Sequence, residues 1–203
     1  MSPGVGSVAF SHAYGHVAAF RVISGSMTTI DPLKYPVGAF SFDPATAAAK
    51  RGEHIRQIAE LPTGLRAAYA ALTPEQRKRS YRAGGWNADQ IVHHVADSHG
   101  NALFRIKLAL TEDVPTIKPY DQGKWATLAD VTAVPGDVSL LFLDALHRRW
   151  VALLEALGPD DFKRAIYHPE RAEQMTIDHL IMLYAWHSRH HTAHLRAIAA
   201  NPA

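Results

Sequence analysis

Apolar side chains recur at three- and four-residue spacings along two stretches: Ile91, Val92, Val95, Leu103, Ile106 and Ile177, Leu180, Leu183, Tyr184, Leu195, Ile198. That is the period of a helix burying one face. From Pro44 onward the chain reads as four such helices punctuated by Pro and Gly. The first spans about Ala45 to Leu72. Pro62 should kink or split it, because proline donates no N–H and crowds the preceding turn. Leu72-Thr73-Pro74-Glu75 is a stop followed by a fresh N-cap. The second helix opens after Gly84-Gly85-Trp86, with Asn87 and Gln90 spaced as a capping box, and ends near Thr111. Residues 113 to 136, with Pro115, Pro119, Pro135 and Gly136, form a long connection holding one helical turn around Trp125. The third helix runs from about Asp137 to Leu157 and stops at Gly158-Pro159. A loop through His168-Pro169 follows, and Thr176 caps the last helix, which reaches about Ala200. The expected class is all-α, a four-helix bundle with a long crossover between helices two and three.

Leu72-Thr73-Pro74-Glu75-Gln76-Arg77-Lys78-Arg79 is echoed by Leu157-Gly158-Pro159-Asp160-Asp161-Phe162-Lys163-Arg164, each ahead of a histidine-bearing helix. The echo suggests two helical hairpins in a pseudo-twofold bundle. Residues 1 to 34 read as an N-terminal extension without sustained helical period, and 35 to 203 as the bundle. No Lys or Arg precedes Arg21, which argues against a secretory signal. Met27 offers an alternative start, so residues 1 to 26 should be dispensable and His12 and His16 are given no role.

Composition narrows the function. A chain of 203 residues with 47% hydrophobic content suits one globular unit with a tail. A net charge of +2 is too small to argue for nucleic acid. The basic run Arg77-Lys78-Arg79 with Arg82 reads as a solvated turn. The chain has no cysteine, which excludes disulfides, thiolate ligands and a cysteine nucleophile and is compatible with the cytoplasm. No apolar run approaches the ~20 residues that span a bilayer.

What the sequence has in excess is histidine: 13 residues, four of them between Trp186 and His194. Imidazole is a common transition-metal ligand, and histidines at i and i+4 aim two rings at one point. At ~100° per residue, His187 and His191 average about 20° from the zero set at His187, near the buried stripe, while His190 and His194 average about −40°. His187 and His191 are the better ligand pair. On the second helix the apolar face lies away from His93 and His94, with His99 nearer its centre. His94 shares a polar stripe with Ser98, Asn101 and Arg105, which would line a cleft or face solvent. Periodicity does not choose the third ligand. His-Ser-Arg-His-His has no Glu at its second position, so the zincin pattern is absent.

Gly84-Gly85-Trp86, His93-His94-Val95-Ala96-Asp97-Ser98-His99, Lys118-Pro119-Tyr120-Asp121, Phe162-Lys163-Arg164, Tyr167-His168-Pro169 and Trp186-His187-Ser188-Arg189-His190-His191 together resemble the YfiT branch of the DinB-like superfamily. The likeness runs from Tyr35-Pro36-Val37-Gly38 almost to the C-terminus. It implies a four-helix bundle binding one divalent ion, zinc or nickel, through His94 on the second helix and the His187/His191 pair on the fourth. Where many relatives carry Arg-Gly-Gln after the last ligand, this chain has Thr192-Ala193-His194, as the YfiT branch does. Members of that branch are commonly labelled metal-dependent hydrolases, and others in the superfamily are transferases or isomerases using a small thiol. Either a metal-activated water or a thiol cosubstrate is therefore expected, with a non-catalytic helical scaffold as the rival. Asp97, His190 and His194 are the candidate proton carriers. Asn101 and Arg105 would line the groove leading from His94, with Arg105 suited to a cosubstrate carboxylate. A small-molecule substrate, a homodimer and a cytoplasmic location complete the expectation.

Overall fold

A computed structural model describes residues 30–200. The alternative start at Met27, residues 1 to 26, and His12 and His16 lie outside the described residues. Four long helices form the body: α1 (Pro44–Ala70), α3 (Ala88–Thr111), α6 (Gly136–Glu155) and α7 (Ile177–Ala200). Between them lie the short helices α2 (Pro74–Arg77), α4 (Gln122–Trp125) and α5 (Ala129–Ala133), a 3-10 turn at Asp161–Lys163 and two strands, β1 (Ala165–His168) and β2 (Glu173–Thr176). The expected four-helix bundle is what forms. Its second, third and fourth helices are α3, α6 and α7.

Local chemistry places the ends. Asn87 and Gln90 make the reciprocal capping box of α3, and Thr176 Oγ1 accepts the His179 amide at 3.1 Å at the start of α7. Asp43 caps α1 by accepting the Ala45 amide at 3.0 Å. Gly136 opens α6 beneath Asp89, whose Oδ1 accepts the Gly136 amide at 3.2 Å. A Cβ there would lie 2.9 Å from that oxygen, so only glycine fits. Ile58, Leu65, Ile91, Leu103, Ile106, Leu140, Leu143, Trp150 and Leu195 build the core where α1 and α3 each pack on α6 and α7. Arg51 of α1 grips Asp178 of α7 with two 2.7 Å bonds and so fixes the register of that pair. Among the described residues no single helix is long and apolar enough to cross a membrane.

Four details differ from the sequence reading. The segment around His168-Pro169 is not a plain loop. β1 and β2 pair antiparallel in the register Ala165↔Thr176 to His168↔Glu173. The crossover joins them, since the Ile117 amide bonds the Tyr167 carbonyl and the Tyr167 amide the Pro115 carbonyl. Short helices α4 and α5 fill the crossover, where one turn around Trp125 was expected. Helix α1 runs unbroken through the buried Pro62. Proline deprives the Ile58 carbonyl, four residues earlier, of its helical donor. His147 of α6 supplies one, with Nδ1 at 2.7 Å. The sequence echo is also only partial: its first copy becomes α2 and its second a 3-10 turn leading into the hairpin.

Candidate metal centre

Helices α3 and α7 cross with His94 on one and His187 and His191 on the other. Each of the three offers a ring nitrogen, and these nitrogens lie within 4.8 Å of one another. His94 Nε2 and His187 Nε2 are 3.2 Å apart. The His191 ring centroid is 4.8 Å from that of His94 and 4.4 Å from that of His187. Trp86, just ahead of α3, stands 4.6 Å from His94 and walls the group. His94 is brought in although it lies off the apolar stripe of α3, because its polar stripe is covered too: His94 and Ser98 are 5% and 6% exposed.

Burial sets the electrostatics. It pushes His94 down to about 3, with the neighbouring His194 adding a smaller push. His187 and His191 are pushed well below the ordinary histidine value, again mainly by burial and then by the other histidines. All three rings are therefore neutral near pH 7, with lone pairs to offer. A four-coordinate ion about 2.0–2.1 Å from each nitrogen would hold two ligand atoms roughly 3.3 Å apart. The Nε2–Nε2 separation fits that, and three neutral imidazoles fit the donor set of a divalent ion with open positions.

Behind His187 stands a group that periodicity did not single out. His187 Nδ1 is 3.0 Å from His99 Nε2, and His99 Nδ1 is 3.0 Å from His147 Nε2. His99 lies nearer the apolar face of its helix, and it is fully buried. His147 carried no signal in the sequence beyond its place among the apolar residues of α6.

The remaining candidates divide. His194 approaches the ligand side: its Nδ1 is 3.4 Å from His191 Nδ1, its Nε2 is 3.3 Å from the Lys34 carbonyl, and its ring stacks on Tyr81 at 3.9 Å. His190 stacks on Trp186 at 4.4 Å, and its buried Nδ1 has no hydrogen-bond partner among the described residues. Burial pushes His190 to about 3 and His194 to about 4. Together with His191 they make a second group whose ring nitrogens lie within 4.8 Å. His93 turns away, between Ser139 Oγ at 2.8 Å and the Val134 carbonyl at 3.0 Å, and ties α3 to the start of α6. Asp97 is half-buried beside Asp130 and His93, and desolvation first and Asp130 second raise its carboxyl above the usual range. Asn101 donates to the Asp97 backbone carbonyl at 2.9 Å and lines a groove with Asp97, Phe104, Trp125 and Phe142. Arg105 acts instead on Tyr120 and His168. Tyr120 belongs to the crossover and packs tilted against Trp125, with 4.1 Å between ring centroids. Its hydroxyl is buried beside Ser98, one turn past His94, and burial raises its pKa.

These features define a helical bundle whose interior brings together three histidines that could hold a metal ion. The chain belongs to the DinB superfamily, whose family model matches residues 57–195. A protein of Geobacillus thermodenitrificans (strain NG80-2) named "Putative metal-dependent hydrolase" is 46% identical over 173 residues, 85% of this chain and 97% of that one. A protein of Oceanobacillus iheyensis bearing the same description is 45% identical over 165 residues, 81% of this chain and 95% of the relative. Among solved structures, YfiT from Bacillus subtilis superposes with a TM-score of 0.81 at 39% identity, over 84% of this chain and 97% of that chain. It is described as a probable metal-dependent hydrolase with an unusual four-helix bundle topology.

Proposed function

We propose that this chain is a metal-dependent enzyme that holds one divalent ion, zinc or nickel, through His94, His187 and His191 and activates a small nucleophile there. The observation that carries this reading is the convergence of three neutral imidazoles from two helices, with two Nε2 atoms 3.2 Å apart. An ion so held keeps its double charge and open positions, and lowers the pKa of a water or thiol bound at one of them. Burial keeps the three rings unprotonated, and Trp86 shields one side of the group from solvent.

The relatives' names favour water as the nucleophile. A small thiol fits the same centre, since a bound ion lowers a thiol's pKa as it does that of water. The charges bearing on His94, His187 and His191 come from other histidines rather than from a carboxylate, so a histidine would serve water as its general base. The chain also has no cysteine of its own to serve. Arg105, with the buried Tyr120 hydroxyl and His168 in its field, is suited to a carboxylate on such a cosubstrate. His194, against His191 Nδ1, is the proton carrier nearest the ligands.

The test is elemental analysis of the purified protein, then assays of thiol conjugation to an electrophile panel and of ester and amide hydrolysis, each before and after chelation. One metal per chain with chelator-sensitive conjugation supports thiol transfer; chelator-sensitive hydrolysis without thiol assigns water. One metal per chain whose removal lowers the melting temperature, with neither activity found, would make the protein a metal-stabilised scaffold and overturn the proposal.

A further inference from the structure

We infer that His99 and His147 are positioning residues that preset the tautomer of His187, in a relay that starts at the backbone carbonyl freed by Pro62. Only the last step rests on the metal-site reading above. A carbonyl oxygen can only accept, so His147 Nδ1, 2.7 Å from Ile58 O, must carry the proton. A neutral imidazole has a single N–H, which leaves His147 Nε2 as an acceptor. His99 Nδ1 faces it at 3.0 Å and must donate. His99 Nε2 is then the acceptor, and His187 Nδ1, 3.0 Å away, must donate to it. His187 Nε2 is left with its lone pair, directed to the point where His94 Nε2 lies 3.2 Å away. Each assignment forces the next. Reversing any ring would set N–H against N–H, or lone pair against lone pair, inside the bundle.

The inner links are shut off from water. His99 and His147 are 0% and 2% exposed. Trp150 and Tyr184 press edge-on against His99 at 5.6 and 5.2 Å between ring centroids and hold its plane. In an ordinary helix the carbonyl at position 58 would share its oxygen between the amide of residue 62 and the ring; with Pro62 it is left to His147 alone. That carbonyl thus fixes, through three rings on three other helices, which nitrogen of His187 faces the ion. The opposite side of the site has the same polarity on a shorter path, from the Lys34 carbonyl to His194 Nε2 at 3.3 Å and from His194 Nδ1 to His191 Nδ1 at 3.4 Å.

The experiment is nitrogen NMR of ¹⁵N-histidine-labelled, metal-free protein, with zinc affinity measured in parallel. Wild type should show His187 protonated at Nδ1 alone. His147→Leu removes the oriented acceptor and should give mixed tautomers at His187, with zinc bound about 10- to 100-fold more weakly. His147→Gln, whose amide can donate to Ile58 and accept from His99, should restore both. A wild-type His187 carrying its proton on Nε2, or divided between the two nitrogens, overturns the relay, and so does an unchanged tautomer in His147→Leu. Should the leucine variant fail to fold, the wild-type spectrum alone decides between these outcomes. A protein with Nδ1–H at His187 that binds neither zinc nor nickel would overturn the proposed function and leave the relay standing.

Discussion

Acidification should unfold the metal-free protein in a steep transition that begins below about pH 6.5. A histidine in an unfolded chain takes up its proton near pH 6.5. Burial holds His94 near 3 and His147 near 4 in the folded protein. Between those values the unfolded chain binds more protons, so the stability that neutrality allows is complete above about 6.5 and is lost as the pH falls. At pH 5 each of these two rings favours unfolding by about 2 kcal/mol, from ~1.5 pH units at ~1.36 kcal/mol each. His99, His187 and His191 are pushed down by the same burial and add in the same direction. His190 and His194, held by burial to about 3 and 4, contribute about as much again, so with His94 and His147 they approach about 8 kcal/mol, within a domain's whole stability of roughly 5–15 kcal/mol. Urea unfolding of chelator-treated protein, followed by circular dichroism between about pH 8 and 5, gives the slope directly. Uptake of two or more protons, at least about 2.7 kcal/mol per pH unit near pH 5.5, is expected. A slope below about 1.4 kcal/mol per unit, less than one proton, would mean that the rings are solvated and the argument from burial fails. Saturating zinc should move the transition to lower pH, because the ion competes with protons for the same lone pairs.

Two substitutions test the site itself. His187→Ala should abolish stoichiometric zinc or nickel in elemental analysis, since two imidazoles hold an ion far more weakly than three. Full retention would move the site to His190, His191 and His194, the other group whose nitrogens converge. Arg105→Ala should raise KM for a carboxylate-bearing thiol severalfold while leaving bound metal intact; unchanged kinetics would make Arg105 a surface residue and leave the cosubstrate's anchor to be found in the 113–136 connection.

Much of the bundle was legible because its signals are local. The Asn87–Gln90 spacing, Thr176 ahead of an apolar stripe and Pro-Gly pairs act within a few residues of themselves, and the helices begin and end close to where those signals put them. The candidate pair on α7, two histidines four residues apart beside an apolar face, was legible for the same reason, and its ring nitrogens converge with one of His94. His94 itself was not legible, since a single helix cannot tell a polar stripe facing solvent from one covered by a neighbour. Resemblance named it, and its 5% exposure agrees with an interior role. The hairpin at Ala165–Thr176 was missed because its strands are four residues each and one pairs with the crossover, a partner distant in sequence.

Pro62 shows most clearly where a linear reading stops. Taken alone, a proline in a helix is a lost hydrogen bond, and the inference of a break follows from that loss. The helix is not split here, and the unpaired carbonyl is satisfied from α6, by a side chain 89 positions away. The donor is a histidine with a second nitrogen still to be paired, so closing the defect in α1 creates a demand deeper in the core. His99 meets that demand and passes it to His187. What reads as a local fault in the first helix thereby becomes a constraint on a ring that faces the centre. The constraint costs no charge, because every ring in the path stays neutral. It is invisible in the sequence because none of its contacts falls within a turn of another, and only the packing of α1, α3, α6 and α7 on one another makes it a path.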